Sequence, residues 1–313
     1  MMNAIQTDQL TRSFGTLKAV DRLTIEVPRG TVFGFLGPNG SGKTTTIRLL
    51  LGLLEPDQGS AQVMGFDSRK QAGEVRTRCG ALLEHHGLYE RLSAAENLDY
   101  YGRIWHMSKT DRENRIRELL EPLDLYDRRS EPIGRWSRGM KQKLAVARTL
   151  MHRPELIFLD EPTAGLDPVA SSVLREDLAL LVAREGVTIF LTTHNLVEAE
   201  KLCTKVGVIN HGQLLATGSP SDLRSRTSAP RLYVTGQGLS SQILEDVKNN
   251  PLVKRMQQQN GRLVLDLNDL MRSYEIVTQL VKAGVQIDEV RKEKADLEDV
   301  FLQLVEEEPR GQE

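Results

Sequence analysis

No stretch of about 18 consecutive apolar residues occurs in the chain, so no segment reads as a helix that crosses a bilayer. The opening residues, Met1-Met2-Asn3-Ala4-Ile5-Gln6-Thr7-Asp8, lack the basic patch and apolar core of a secretory leader. Cysteine is scarce: Cys79 and Cys203 stand far apart with no ligand-like spacing, which excludes a disulfide framework or a cysteine zinc site and suits a reducing compartment. An excess of one charge is missing too. With 41 basic and 43 acidic residues the formal net charge is −2, so no global field points to nucleic acid or an anionic membrane. These absences lead to the expectation of a cytoplasmic protein whose membrane attachment, if any, comes through a partner. At 313 residues the chain is long enough for one large domain or two modest ones.

What is present is concentrated in Gly37-Pro38-Asn39-Gly40-Ser41-Gly42-Lys43-Thr44-Thr45, of the form G-x-x-x-x-G-K-[ST]. Thr31-Val32-Phe33-Gly34-Phe35-Leu36 precedes it and Thr46-Ile47-Arg48-Leu49-Leu50-Leu51 follows it, which gives the strand–loop–helix setting that the motif needs. Gly37, Gly40 and Gly42 let the backbone close around phosphates at a helix N-terminus. Lys43 can reach the β- and γ-phosphates, and the Thr44 hydroxyl can ligate Mg²⁺. The chain is expected to bind a nucleoside triphosphate.

Elsewhere strands and helices alternate. Thr24 to Val27 reads as a strand before a turn at Pro28-Arg29-Gly30, and Ala81-Leu82-Leu83 as a buried strand. Ala94 to about Leu125 turns helical, with Ile116, Leu119, Leu120 and Leu123 on one face, and Met140–Leu150 is a second helix. Leu156-Ile157-Phe158-Leu159 and Val187-Thr188-Ile189-Phe190-Leu191 have no polar alternation, as in a parallel sheet covered on both faces. Polar residues gather at the C-termini of these strands, where an open α/β sheet binds its ligand. Thr217–Arg231, rich in Ser, Thr, Pro, Gly and Arg, reads as a linker. Beyond it Leu232-Tyr233-Val234, Ile243–Lys248, Val253–Met256, Leu263–Leu267, Tyr274–Lys282 and Val285–Val290 read as βαββαβ, with Asn260-Gly261 as a hairpin turn. Leu297, Val300, Phe301 and Leu304 form the stripe of a last helix. The order resembles a ferredoxin-like domain.

Asp160-Glu161 ends the apolar strand Leu156–Leu159, a Walker B pattern. Asp160 is placed to hold Mg²⁺ opposite Thr44, and Glu161 to orient and deprotonate an attacking water. With these residues in this order, the chain from about Ile5 to Leu223 resembles an ABC-type ATPase, a P-loop NTPase fold with antiparallel β and helical subdomains. Trp136-Ser137-Arg138-Gly139-Met140-Lys141-Gln142 resembles the ABC signature, usually Leu-Ser-Gly-Gly-Gln. It retains Ser137 and Gly139 and departs at Arg138 and Met140. The resemblance implies that this element meets the γ-phosphate held by another subunit. It also implies that Ala164-Gly165-Leu166-Asp167 is the D-loop, that His194 is the γ-phosphate-sensing switch histidine, and that Phe14 stacks on adenine. Leu82-Leu83-Glu84 stands where the family usually has Leu-Pro-Gln. Glu84 then offers a carboxylate toward Mg²⁺ or water without an amide donor. Gly87–Ser93 and Glu96-Asn97-Leu98 resemble the exporter segment that receives a coupling helix from a membrane subunit.

The resemblance implies an ATP-binding, Mg²⁺-dependent ATPase subunit of a drug- or antibiotic-export transporter. Its partners would be separately encoded permease subunits and a second copy closing a head-to-tail ATP sandwich, with no nucleic acid, at the inner face of the cell membrane. The expected layout is an ATPase domain at 1–223 with a helical subdomain at about 85–150, a linker at 224–230, an α+β unit at 231–308 and a tail at 309–313. The competing readings are a soluble ABC-type ATPase, an importer subunit and, if Glu84 or the altered signature abolishes turnover, a non-enzymatic nucleotide-gated scaffold. A soluble translation-type member would carry two phosphate loops, and this chain has one complete loop. Asp296-Leu297-Glu298-Asp299-Val300-Phe301 resembles the end of the drug-export subfamily and weighs against the importer.

Overall fold

The structure, a computed structural model, describes residues 3–227, 231–259, 262–293 and 297–306. It divides into two compact units, Met1–Pro220 and Ser221–Glu313.

The first unit opens with an antiparallel layer. β1 (Asn3–Phe14), β2 (Leu17–Leu23) and β3 (Glu26–Pro28) are followed by β4 (Val32–Leu36), the phosphate loop and α1 (Lys43–Leu50). Next come β5 (Gln58–Val63), β6 (Phe66–Asp67), α2 (Ala72–Arg78) and β7 (Cys79–Leu82). β1 is the centre of the antiparallel layer, in the order β2-β1-β5-β6 with β3 also paired to β1. A helical section follows: α3 (Ala94–Ile104), α4 (Lys109–Leu120) and α5 (Arg138–Thr149). Each of these helices starts at a serine cap. Ser93 forms a capping box with Glu96, Ser108 accepts from the Asp111 N–H, and Ser137 accepts from the Met140 N–H. The helical pattern expected from Ala94 to Leu125 is therefore two helices. The break falls where His106 takes a left-handed φ of 55° just before the Ser108 cap.

β8 (Leu156–Asp160), α6 (Pro168–Glu185), β9 (Thr188–Thr193), α7 (Leu196–Leu202), β10 (Lys205–Asn210) and β11 (Gln213–Gly218) complete the unit. The second sheet has the order β11-β10-β4-β9-β8-β7, parallel except for the β10–β11 hairpin. β4, β8 and β9 are buried at every residue, which is why their sequences show no polar alternation. Phe190 of β9 lies at their centre, with ring centroids 5.5 Å from Phe33, 5.4 Å from Phe35 and 5.6 Å from Phe158. Removing such a ring costs about 3–5 kcal/mol, because the close-packed neighbours collapse only in part. This rigid sheet fixes the loops at the ends of β4, β7, β8 and β9 against one another.

The stretch 217–231 contains the end of β11 and a helix, α8 (Pro220–Thr227), and the division between the two units falls within it. Pro220 occupies the first helical position, where its fixed φ favours a start and its missing N–H costs nothing. β12 (Arg231–Gln237), α9 (Ser241–Lys248), β13 (Val253–Gln259), β14 (Arg262–Leu267), α10 (Ser273–Lys282) and β15 (Gln286–Glu293) follow, then α11 (Leu297–Glu306). The sheet order is β13-β14-β12-β15, antiparallel throughout. Leu232, Val234, Leu263, Leu265 and Leu267 on the sheet pack with Val247, Ile276 and Leu280 from the helices as a separate core. Asn260-Gly261 and Asp296 lie outside the described residues. Among the described residues, no helix is long and apolar enough to cross a membrane.

Candidate functional site

A cavity of about 590 Å³ opens at the C-terminal ends of the parallel strands. Phe14, Asn39, Gly40, Gly42, Lys43, Thr44, Thr45, Glu84, Asp160 and Glu161 line it, so most of the residues singled out in the sequence converge there. Gly42 caps α1 with φ 106°, and a Cβ there would lie 2.1 Å from the Ala19 carbonyl oxygen. Only glycine fits that turn, and the turn is what sends Lys43 inward. The Lys43 side chain is 5% exposed. Its Nζ donates to the carbonyls of Gly37 at 2.8 Å and Pro38 at 2.9 Å and lies 3.3 Å from Glu161 Oε1. Ser41 is buried, and among the described residues its hydroxyl has no hydrogen-bond partner.

Across the cavity floor, Thr44 Oγ1 donates to Asp160 Oδ2 at 2.6 Å, and the Thr192 hydroxyl donates to Asp160 Oδ1. Glu161 has a left-handed φ of 47°, uncommon for a residue with a side chain. Its N–H donates to both the carbonyl and the hydroxyl of Thr192, at 3.1 and 3.0 Å, which holds the backbone in that conformation. The carboxylate consequently projects between Lys43 and His194, whose Nδ1 lies 3.1 Å from Glu161 Oε2. Thr192 was not among the candidates, yet it holds the Asp160 carboxylate and the Glu161 backbone. Its only sequence signal is its place at the end of an apolar strand.

Phe14 ends β1 at the cavity rim with its ring half exposed and the Arg12 guanidinium 5.0 Å from its centroid. Glu84 lines the same cavity, but its carboxylate is engaged by Arg48 of α1 at 3.1 Å in a solvent-facing pair. The carboxylate is thus turned to Arg48, while Thr44 and Asp160, the two groups it is expected to join, bond to each other. Ser137, Gly139 and Asp167 do not line this chain's cavity. Ser137 Oγ caps α5, Gly139 faces Ala170, and Asp167 Oδ1 accepts from the Val169 and Ala170 N–H groups at the start of α6. Arg138 and Gln142 do reach the cavity. The Arg138 guanidinium lies over Gly165, where a Cβ would come within 2.3 Å of it.

The residues present fit a nucleotide with a hard divalent cation. The buried Lys43 side chain faces phosphate-sized space, and the Thr44 and Asp160 oxygens already sit together as hard ligands. Among the described residues no three of His, Cys, Asp and Glu form a metal cage, so phosphate oxygens and water would complete the cation's shell. The two thiols belong to the core: burial pushes Cys79 and Cys203 up to about 12, well away from reactive thiolates.

The chain matches the family ABC transporter over residues 20–164 and the family ATP-binding protein DrrA1-3-like, C-terminal domain, over residues 218–305. It is 37% identical over 303 residues to the daunorubicin resistance ATP-binding protein DrrA3 of Streptomyces coeruleorubidus, covering 96% of this chain and 95% of that one. It is 36% identical to the bacitracin transport ATP-binding protein BcrA of Bacillus licheniformis, over 97% of this chain and 98% of that one. Among solved structures, the ATP binding subunit of an ABC transporter superposes with a TM-score of 0.63 at 30% identity, covering 71% of this chain and 92% of that one. An ATP-binding cassette in its ADP conformation gives a TM-score of 0.62 at 26% identity, over 71% and 93%.

Proposed function

The chain belongs to the ABC transporter family of ATP-binding proteins, and from that premise we propose that it hydrolyses ATP to drive export of a drug or antibiotic through separate permease subunits. The observation that carries the reading is the Lys43–Glu161–His194 constellation beside Thr44–Asp160. Lys43 supplies a fixed positive charge for the terminal phosphates. Glu161 accepts a proton from the attacking water, and His194 holds its second carboxylate oxygen in place. Thr44 and Asp160 would ligate Mg²⁺, which when bound neutralises charge on the β- and γ-phosphate oxygens. Phe14 offers a stacking face for adenine, worth about 0.5–1.5 kcal/mol.

Ser137, Gly139 and Asp167 would complete the site of a second copy, because they sit outside this chain's own cavity. A C₂ dimer would satisfy two such sites at once. Attachment to the inner face of the membrane would then come through the permease. The strand order of the second unit supports a ferredoxin-like reading. The test is size-exclusion of Glu161→Gln with and without ATP. A dimer that appears only with ATP and persists supports the reading, and a monomer under both conditions contradicts it.

A further inference from the structure

Glu198, in the first turn of α7, is a buried carboxylate with 5% of its side chain exposed. Its Oε1 lies 3.3 Å from Nη1 of Arg175 on α6, itself 18% exposed, and its Oε2 accepts from the Thr193 hydroxyl at 3.1 Å. That hydroxyl in turn accepts from the Asn195 N–H at 2.9 Å, and Asn195 Oδ1 accepts from the Glu198 N–H at 3.2 Å. Thr193 and Asn195 flank His194, so the segment carrying the imidazole is closed by hydrogen bonds that converge on Glu198. A buried carboxylate needs a compensating cation, and Arg175 supplies it.

Arg175 belongs to the helix that starts at the Ala164–Asp167 turn, with Asp167 as its cap. One helix and one ion pair therefore connect that turn to His194. Arg175 and Glu198 line a second cavity, of about 510 Å³, together with His194 and Glu161, and of these four only Glu161 also lines the nucleotide cavity.

We propose that Arg175 and Glu198 are positioning residues for hydrolysis: together they hold His194 on Glu161 and pass movement of the Ala164–Asp167 turn to the imidazole. The proposal rests on the roles given above to Glu161 and His194. Losing the Arg175 cation strands a buried charge, which must draw in water or a proton, and either change releases the Thr193 hydroxyl. Glu198→Gln keeps an acceptor oxygen for Thr193 and removes the charge that needs Arg175. The double variant should therefore be better than Arg175→Met alone.

The experiment measures kcat and ATP dissociation constant for the full chain carrying Arg175→Met, Glu198→Gln, both together, and Arg175→Met in a His194→Ala background. Arg175→Met should lower kcat roughly 10-fold, as expected of a misplaced catalytic group, with ATP affinity unchanged within about twofold. The double variant should recover to within about threefold of wild type, and Arg175→Met should add nothing once His194 is gone. Arg175→Lys, which keeps the charge, should retain most activity and serves as the comparison if Arg175→Met does not fold. A further loss on the His194→Ala background, or weakened ATP binding at unchanged kcat, overturns the proposal alone. A His194→Ala variant that hydrolyses at the wild-type rate overturns the assignment of His194 as well.

Discussion

The two sides of the nucleotide cavity differ in how far their residues are engaged with one another. On the side of the parallel sheet the three charged groups are held by their neighbours: Lys43 by two carbonyls and Glu161, Asp160 by Thr44 and Thr192, Glu161 by Thr192 and His194. On the side of α5 the groups are directed elsewhere. Ser137 caps its own helix, Gly139 faces Ala170, and the exposed Arg138 lies on Gly165. The first side is preorganised within one chain, so electrostatic stabilisation there requires little rearrangement. On the second side Arg138 and Gln142 reach the cavity but Ser137 and Gly139 do not, which is the property expected if those two serve another copy.

The largest effect that sharpens this contrast is on Glu161. Glu161→Gln should retain ATP binding and slow hydrolysis by roughly 10²–10⁴-fold, the usual worth of a general base; single-turnover ATPase rates check it. Lys43→Ala should weaken ATP binding on the order of 10²-fold, because a charge-assisted contact with phosphate is lost from a buried position without loss of core packing. Equilibrium binding of a fluorescent nucleotide measures that loss, and equal affinities would break the description of the sheet side. Glu84→Gln should change the ATPase rate and the apparent Mg²⁺ affinity by no more than about threefold, since its solvent-facing pair with Arg48 is worth little. A larger shift in a Mg²⁺ titration would show that Glu84 leaves Arg48 for the cation.

The smallest effect concerns stability rather than activity. Burial lowers the His152 imidazole to about 4, although the bond with the Cys79 carbonyl opposes this. The folded state therefore keeps His152 neutral while the unfolded chain takes up a proton below its ordinary value of 6.5. Stability from this group is present above pH about 6.5 and is lost as pH falls toward 4. Denaturant midpoints of wild type and His152→Asn across that window should converge at low pH.

The sheet side was also the more legible of the two in the sequence. β4, β8 and β9 are buried on both faces, so their uninterrupted apolar runs mark them, and functional residues stand at their ends. β1 is 12 residues long and central to its layer, yet register shifts between Leu10 and Ser13 break its alternation and hide it. The stretch around Pro220 has a linker's composition, but the local rule that proline starts helices outweighs it there. For Glu84, position along the chain indicated the cavity correctly, whereas the partner of its carboxylate depended on Arg48, 36 residues earlier and one helix face away. Arg138 could be seen only as a departure from the signature. That it would settle on Gly165 depends on a left-handed glycine, φ 69°, in a turn that propensity alone does not place beside it.

The claim that the two sides belong to different copies is tested most directly by mixing inactive chains. Lys43→Ala disables the sheet side, and Gly139→Asp places a negative charge at the start of α5, so each variant alone should have no more than residual ATPase activity. In a mixed dimer one site combines both defects, and the other joins an intact sheet side to an intact α5. The expected result is that mixing restores ATPase activity, maximal near equal amounts of the two chains. Activity that stays at the sum of the separate variants at every ratio, with mixed dimers demonstrably formed, would contradict it.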